Sequence, residues 1–255
     1  MLANRKFEFV KEKPFFDLMV ETETTIKHAH CLELLLGGGK PLFFTGESGV
    51  GKSVIIQNVL SRMGEKDTQP IYLNFSAQTD SKRTQQSIQE KLEKVSRKKL
   101  GAPIGKKNAI FVDDINMPTK EFYGAHPPIE LLRFFLDKKG LYERADWEWK
   151  DVENTTIIAA AAPPVGGRSV LTMRFSQHFN MFCVPEASDG ILENIFGTIL
   201  DGFLKAYNFA EGVMNLSSAA VKSTIDIYNK IAKELRPTPS KFHYMFNLRD
   251  MSKVV

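Results

Sequence analysis

The residues Gly46-Glu47-Ser48-Gly49-Val50-Gly51-Lys52-Ser53 satisfy the pattern Gly-x-x-x-x-Gly-Lys-[Ser/Thr] in full. An apolar run, Pro41-Leu42-Phe43-Phe44-Thr45, precedes them, and apolar residues at helical spacing from Val54 to Met63 follow. Strand, loop and helix in that order are the context the pattern needs. Its glycines let backbone N–H groups turn inward around phosphate oxygens, and the helix N-terminus adds positive potential. Lys52 is expected to reach the β- and γ-phosphates, and the Ser53 hydroxyl to ligate Mg²⁺. A chance glycine-rich turn before a helix is the competing explanation, and it does not account for the preceding strand.

A second group of chemical interest is the pair Asp113-Asp114, which ends the apolar run Ala109-Ile110-Phe111-Val112. In phosphate-loop ATPases an acid at this place holds Mg²⁺, usually through water, and a second acid orients or deprotonates the attacking water. Standing alone, two aspartates at a strand end read as a turn. Downstream of a complete phosphate loop they read as metal-holding and water-activating groups. Asp114 is shorter by a methylene than the Glu of many such hydrolases. A displacement of ~1 Å at a reacting centre costs up to ~10²-fold in rate. Nucleotide binding is therefore better supported than fast hydrolysis.

These groups require a scaffold of short buried strands. Ile71–Phe75, Ala109–Val112, Thr155–Ala162 and Met181–Val184 join Pro41–Thr45 as strand candidates. Thr25–Leu36, Val54–Met63, Thr84–Lys99 and Pro128–Lys138 are helix candidates, with a loop over Leu100–Asn108. The alternation predicts an α/β fold, a parallel sheet with helices on both faces. After Pro185 only helical patterns remain: Gly190–Tyr207, Ser217–Leu235 and Phe242–Val255. The expected division is a nucleotide-binding α/β subdomain over residues 1–185 and a small helical subdomain over 186–255.

Composition narrows the class further. Of 255 residues, 43% are hydrophobic and 25% charged, which is a globular balance. A net charge of +4 does not by itself argue for nucleic acid. The basic stretch Lys94–Lys107 lacks the interleaved aromatics of a nucleic-acid surface. No nucleic-acid partner is expected. Cys31 and Cys183 cannot build a disulfide framework, which points to a reducing compartment. No apolar run reaches membrane-spanning length, and Met1–Lys13 has no apolar core like a signal peptide's. No membrane association is expected. Arg249–Val255 reads as a helix cut short, so the chain is expected to be part of a longer polypeptide with a C-terminally truncated lid.

With these residues placed, the chain resembles an AAA+ module of a dynein heavy chain, most like the third module of the axonemal dyneins. The resemblance covers nearly the whole chain. It is carried by Gly46–Ser53, Phe111–Pro118 with its Asp-Asp-Ile-Asn-Met-Pro, Pro127–Arg133, Ala161–Arg168, Arg174-Phe175 and His243–Asp250 with its Phe-Asn-Leu-Arg-Asp. The resemblance implies a ring of such modules in one very long chain. It implies ATP or ADP with Mg²⁺, bound between the α/β subdomain and the helical lid at the border with the next module. Val20–Thr25 resembles the segment that approaches the adenine, and Arg249 the lid arginine that meets the γ-phosphate. The implied partners are neighbouring AAA+ modules and the other subunits of a dynein complex. The implied location is the cytoplasmic cytoskeleton, in the axoneme of a cilium or flagellum. The chain holds no stalk coiled coil, so a microtubule is expected to be met only through other parts of the parent chain.

Some positions depart from the wider pattern. The strand Thr155–Ala162 ends in Ala where a polar sensor residue normally stands, and Ala cannot hydrogen-bond water or a γ-phosphate. With Asp114, this suits a regulatory site better than the motor's principal one. Arg174 lies where such modules place an arginine finger, which serves the adjacent module's nucleotide, and Arg168 is a second candidate. Trp147 and Trp149 read as part of a small hairpin, Asp146–Val152, inserted before the sensor strand. Both a docking face for a neighbouring module and packing on the chain's own core fit that pattern. Three functions compete: an ATPase module of a microtubule motor, a nucleotide-binding module with little turnover, and an unrelated phosphate-loop enzyme. No acceptor-pocket motif of a kinase accompanies the loop.

Overall fold

The computed structural model describes residues 7, 9, 18–165, 167–236, 238, 240, 241, 244 and 246–254. In chain order the elements are α1 (Glu23–Gly37), β1 (Leu42–Thr45), α2 (Lys52–Gly64), β2 (Thr68–Asn74), α3 (Ser81–Gln89), β3 (Glu93–Ser96), β4 (Lys99–Gly101), β5 (Lys107–Asp113), α4 (Pro127–Lys138), β6 (Gly140–Tyr142), β7 (Trp149–Val152), β8 (Thr155–Ala161), α5 (Met173–Ser176), β9 (Asn180–Cys183), α6 (Asp189–Ala206), α7 (Glu211–Met214), α8 (Ser217–Glu234) and α9 (Leu248–Ser252). They form two compact units. One holds residues 28–47 and 55–184; the other holds the described residues of 1–27, together with 48–54 and those of 185–255.

The first unit is built on a five-stranded sheet in the order β2-β5-β8-β1-β9, and every neighbouring pair in it is parallel. β5 and β8 lie inside the sheet and are each buried over five consecutive residues, as strands covered on both faces are. Phe43, Ile71, Ile110, Val112 and Ile157 from the strands share one core with Ile88 of α3, Leu132 and Phe135 of α4, and Phe175 of α5. The α/β class expected from the alternation of patterns is the observed one.

A second sheet, in the order β3-β4-β7-β6, corrects the expectation between residues 84 and 108. The helix expected over Thr84–Lys99 stops at Gln89, and Glu93–Gly101 forms an antiparallel hairpin instead. The reason is long-range. Leu100 pairs in parallel with Val152, both side chains are buried in the sheet core, and neither partner is visible to a local window. Likewise, Trp147 and Trp149 do not share a strand face. Trp149 lies on β7, its ring packed 5.0 Å from Tyr142 and 5.9 Å from Phe134. Trp147 stands before the strand at φ +57 and is 71% exposed.

In the second unit, Leu192 and Phe196 of α6, Val221 and Ile225 of α8, and Met251 of α9 form one apolar cluster. Phe9 packs edge-on against Phe203 of α6, with ring centroids 6.0 Å apart. The helix expected over Phe242–Val255 is shorter than the pattern suggests. It begins at Leu248, because Asn247 caps it: the Asn247 side chain accepts the Arg249 N–H at 2.8 Å, and Asp250 accepts the Asn247 N–H at 3.2 Å. Phe242, His243, Met245 and Val255 lie outside the described residues, as do Gly166 and most of Met1–Lys13. No described helix is long and apolar enough to cross a membrane.

Candidate functional site

Because the five strands of the main sheet are parallel, their C-terminal ends share one edge. Thr45 at the end of β1 is in register with Ala161 of β8 and Cys183 of β9, and Asp113 of β5 with Asn74 of β2. Gly46 leaves that edge directly after β1. β8 separates β1 from β5, so the phosphate-loop strand and the acid-bearing strand are not hydrogen-bonded neighbours. A crevice at the carboxyl ends of such strands is where open parallel sheets receive their ligands.

The phosphate loop runs from Gly46 to the first turn of α2. Gly46 has φ +151, and Gly49 and Gly51 both have φ +90, conformations open to glycine and costly for other residues. A Cβ placed on Gly51 would meet nothing within 4 Å, so the loop's backbone borders open space there. Lys52, the first residue of α2, is only 8% exposed, while Ser53 beside it is half-buried. The donor set fits phosphate: glycine backbone amides, a helix start and a lysine beside them. Within the second unit the loop also meets the C-terminal segment. A Cβ on Gly49 would lie 3.4 Å from the Leu248 nitrogen and 3.7 Å from Asn247 Cβ. Arg249 follows Leu248 on α9 and is exposed. Val20 is buried just before α1. Glu47, Ser48 and Val50 complete the loop; Glu47 is exposed, and the other two are partly buried.

The acid pair is shaped by its own backbone. The Asp113 carboxylate accepts the Asp114 N–H at 3.0 Å. Asp114 itself adopts φ +49, a left-handed conformation that Asp and Asn tolerate better than longer side chains do. That angle gives a local reason for Asp where many hydrolases carry Glu. The segment beyond is tied down in turn. Ile115 N–H bonds the Ala160 carbonyl at 3.0 Å, and Asn116 Nδ2 donates to the Ala162 carbonyl at 2.8 Å. His126 Nε2 lies 2.9 Å from the Pro118 carbonyl. Burial pushes the His126 imidazole below its ordinary pKa.

The sensor position is apolar in the structure as in the sequence. Ala162 follows β8, is 6% exposed, and has no polar side-chain atom; its carbonyl accepts from Asn116. Asn116, 3% exposed, is a residue to which the sequence pattern assigned no role; its buried amide is tied to the residue that follows that strand. The two candidate arginines differ sharply. Arg174 lies on α5, is exposed, and among the described residues makes no ion pair. Arg168 points back into its own unit, with Nη2 at 3.9 Å from Asp114 Oδ1. Among the described residues, no group of three or more His, Cys, Asp and Glu side chains is placed to hold a metal ion.

Residues 7–187 match the family model described as "P-loop containing dynein motor region", and residues 218–255 match that of the "AAA+ lid domain". The chain is 47% identical over 250 residues to dynein axonemal heavy chain 6 of Homo sapiens, covering 98% of this chain and 6% of that one. It is 40% identical over 240 residues to dynein axonemal heavy chain 12 of Mus musculus, covering 94% of this chain and 8% of the other. Dynein axonemal heavy chain 3 of Mus musculus is 38% identical over 243 residues, 94% of this chain and 6% of that one. The chain thus spans a small fraction, 6% to 8%, of these relatives' length.

Proposed function

This chain belongs to the family of P-loop dynein motor regions, and on that premise we propose that it is an AAA+ module of a dynein heavy chain that binds Mg-ATP or Mg-ADP and regulates the ring, with slow hydrolysis. The observation that carries the reading is the phosphate loop, Gly46–Ser53, with its glycine-only backbone angles and Lys52 buried at the start of α2. In this reading the loop's backbone amides and Lys52 hold the phosphates. Ser53 and, through water, Asp113 hold Mg²⁺, which offsets phosphate charge. Val20 lies toward the adenine, and Arg249 toward the γ-phosphate. Asp114 orients water. The division of labour is a nucleotide-binding subdomain over residues 1–185 and a lid over 186–255. The parent protein is a microtubule motor of the axoneme in a cilium or flagellum. This module contributes to it through its neighbouring modules and the other subunits of the dynein complex.

A second reading, nucleotide binding without turnover, is favoured by a specific pair of observations: the apolar Ala162 at the sensor position and the short acid at Asp114. Both readings require the same loop. Isothermal calorimetry with Mg-ATP and Mg-ADP tests them together. Lys52→Ala is expected to weaken ATP binding by at least ~10²-fold, about 2.7 kcal/mol. Equal ATP affinity in the wild type and this variant would remove the proposed site.

A further inference from the structure

We infer that Arg168 acts in cis, as a positioning residue that clamps the carboxylate of Asp114. The guanidinium Nη2 stands 3.9 Å from Asp114 Oδ1, with Arg168 21% and Asp114 50% exposed at their side chains. The approach is built rather than incidental. Ser169, the next residue, is pinned twice to the strap that follows Asp114: its N–H bonds the Asn116 carbonyl at 2.8 Å, and its hydroxyl donates to the Pro118 carbonyl at 3.1 Å. Asn116 returns the tie by donating to the Ala162 carbonyl at 2.8 Å. The backbone on either side of the pair is therefore fixed, and the left-handed Asp114 is held within it.

A purely stabilising ion pair is a poor account of this arrangement. Half-exposed pairs contribute little to stability. Arg168 Nε is buried with no protein hydrogen-bond partner among the described residues, which is a cost. The contact does have a chemical effect on the acid it faces. At 3.9 Å the guanidinium offsets the acid's negative charge where it would otherwise oppose a γ-phosphate. The site then meets a triphosphate with less opposing charge. Arg168, with its charge engaged inside its own unit, is unsuited to serve a neighbouring module, and that task falls to the exposed Arg174.

The inference rests on the nucleotide reading above, and its test separates the two. This chain and its Arg168→Gln, Asp114→Asn and double variants are titrated by calorimetry with Mg-ATPγS and Mg-ADP, so that no turnover is needed. Arg168→Gln is expected to weaken ATPγS about tenfold, ~1.4 kcal/mol, and to leave ADP within about threefold, because the bared Asp114 charge opposes only the γ-phosphate. Adding Asp114→Asn should restore ATPγS to within about threefold of the wild type. Arg168→Lys keeps the charge and should retain most of the wild-type ratio, which guards against a folding defect in the glutamine variant. A loss that persists in the double variant would mean that Arg168 touches phosphate directly and would overturn the clamp. An unchanged ATPγS-to-ADP ratio in Arg168→Gln would overturn it as well. A wild-type chain that binds neither nucleotide would overturn the nucleotide reading, and the clamp with it.

Discussion

The left-handed backbone at Asp114 and the ion pair it makes place two constraints on one side chain. The angle favours a short acid, and the short acid is then within reach of an arginine held by its own strap. Arg174 lies under neither constraint: it is exposed, on a short helix, and among the described residues makes no ion pair, while the Gln177 amide donates to its carbonyl at 3.1 Å. A guanidinium is always charged and bridges two phosphate oxygens well, so an exposed one is suited to act on a neighbouring module's nucleotide. Arg174→Ala should accordingly leave this chain's own nucleotide affinity unchanged within about threefold, ~0.7 kcal/mol. In the assembled ring it should slow the site across the border, where such arginines are worth ~10³-fold or more. Calorimetry on the chain and turnover of the assembled motor check the two halves. A large loss of affinity in the isolated variant would assign Arg174 to its own site.

At the scale of elements, the loop between β5 and α4 follows directly on the acid pair. His126 anchors that loop to the Pro118 carbonyl and is 6% exposed. Its folded-state pKa is lowered, first by burial, with Lys120 adding to the effect while the Pro118 bond and Glu130 oppose it. The folded chain therefore takes up this proton less readily than the unfolded chain does. Below about pH 6.5, the ordinary histidine value, the unfolded state binds more protons, and stability falls as the pH falls. The His126 contribution is fully present above that value. Urea midpoints should drop between pH 7.5 and pH 5.5, and His126→Gln should shrink that drop. An identical drop in the variant would show that other groups are responsible.

At the scale of the molecule, the phosphate loop is divided along the chain between the two compact units: Gly46 and Glu47 belong to the sheet unit, and Ser48–Val54 to the helical one. The acids, the apolar sensor position and the clamp candidate all lie on the sheet unit, whereas Arg249 lies on the other. A site with a short acid at Asp114, an alanine at 162 and an exposed Arg174 is expected to turn over slowly when alone. Steady-state ATP turnover of this chain should stay below roughly 1 s⁻¹, the lower end of ordinary enzymes. A faster rate would show that Asp114 and Ala162 do not limit hydrolysis.

Local patterns were enough for the main α/β sheet and for the phosphate loop. β1, β5 and β8 are buried apolar runs, and Gly46–Ser53 is contiguous, so the chemistry and the geometry of each lie within a short window. The acid pair was readable for the same reason, as the polar end of an apolar strand. The second sheet was not, because Glu93–Gly101 carries a helix-like charge pattern and becomes strand only when Leu100 meets Val152. The start of α9 was missed because the capping pair Asn247 and Asp250 outweighs the apolar spacing before it. Trp147 and Trp149 left two uses open in sequence; packing against Phe134 and Tyr142 settles Trp149, and a turn carries Trp147 to the surface. The contact between Arg168 and Asp114 belongs wholly to the tertiary structure. It needs a left-handed residue and two loops tied through Asn116 and Ser169, and no periodicity or motif encodes the meeting of groups so far apart along the chain.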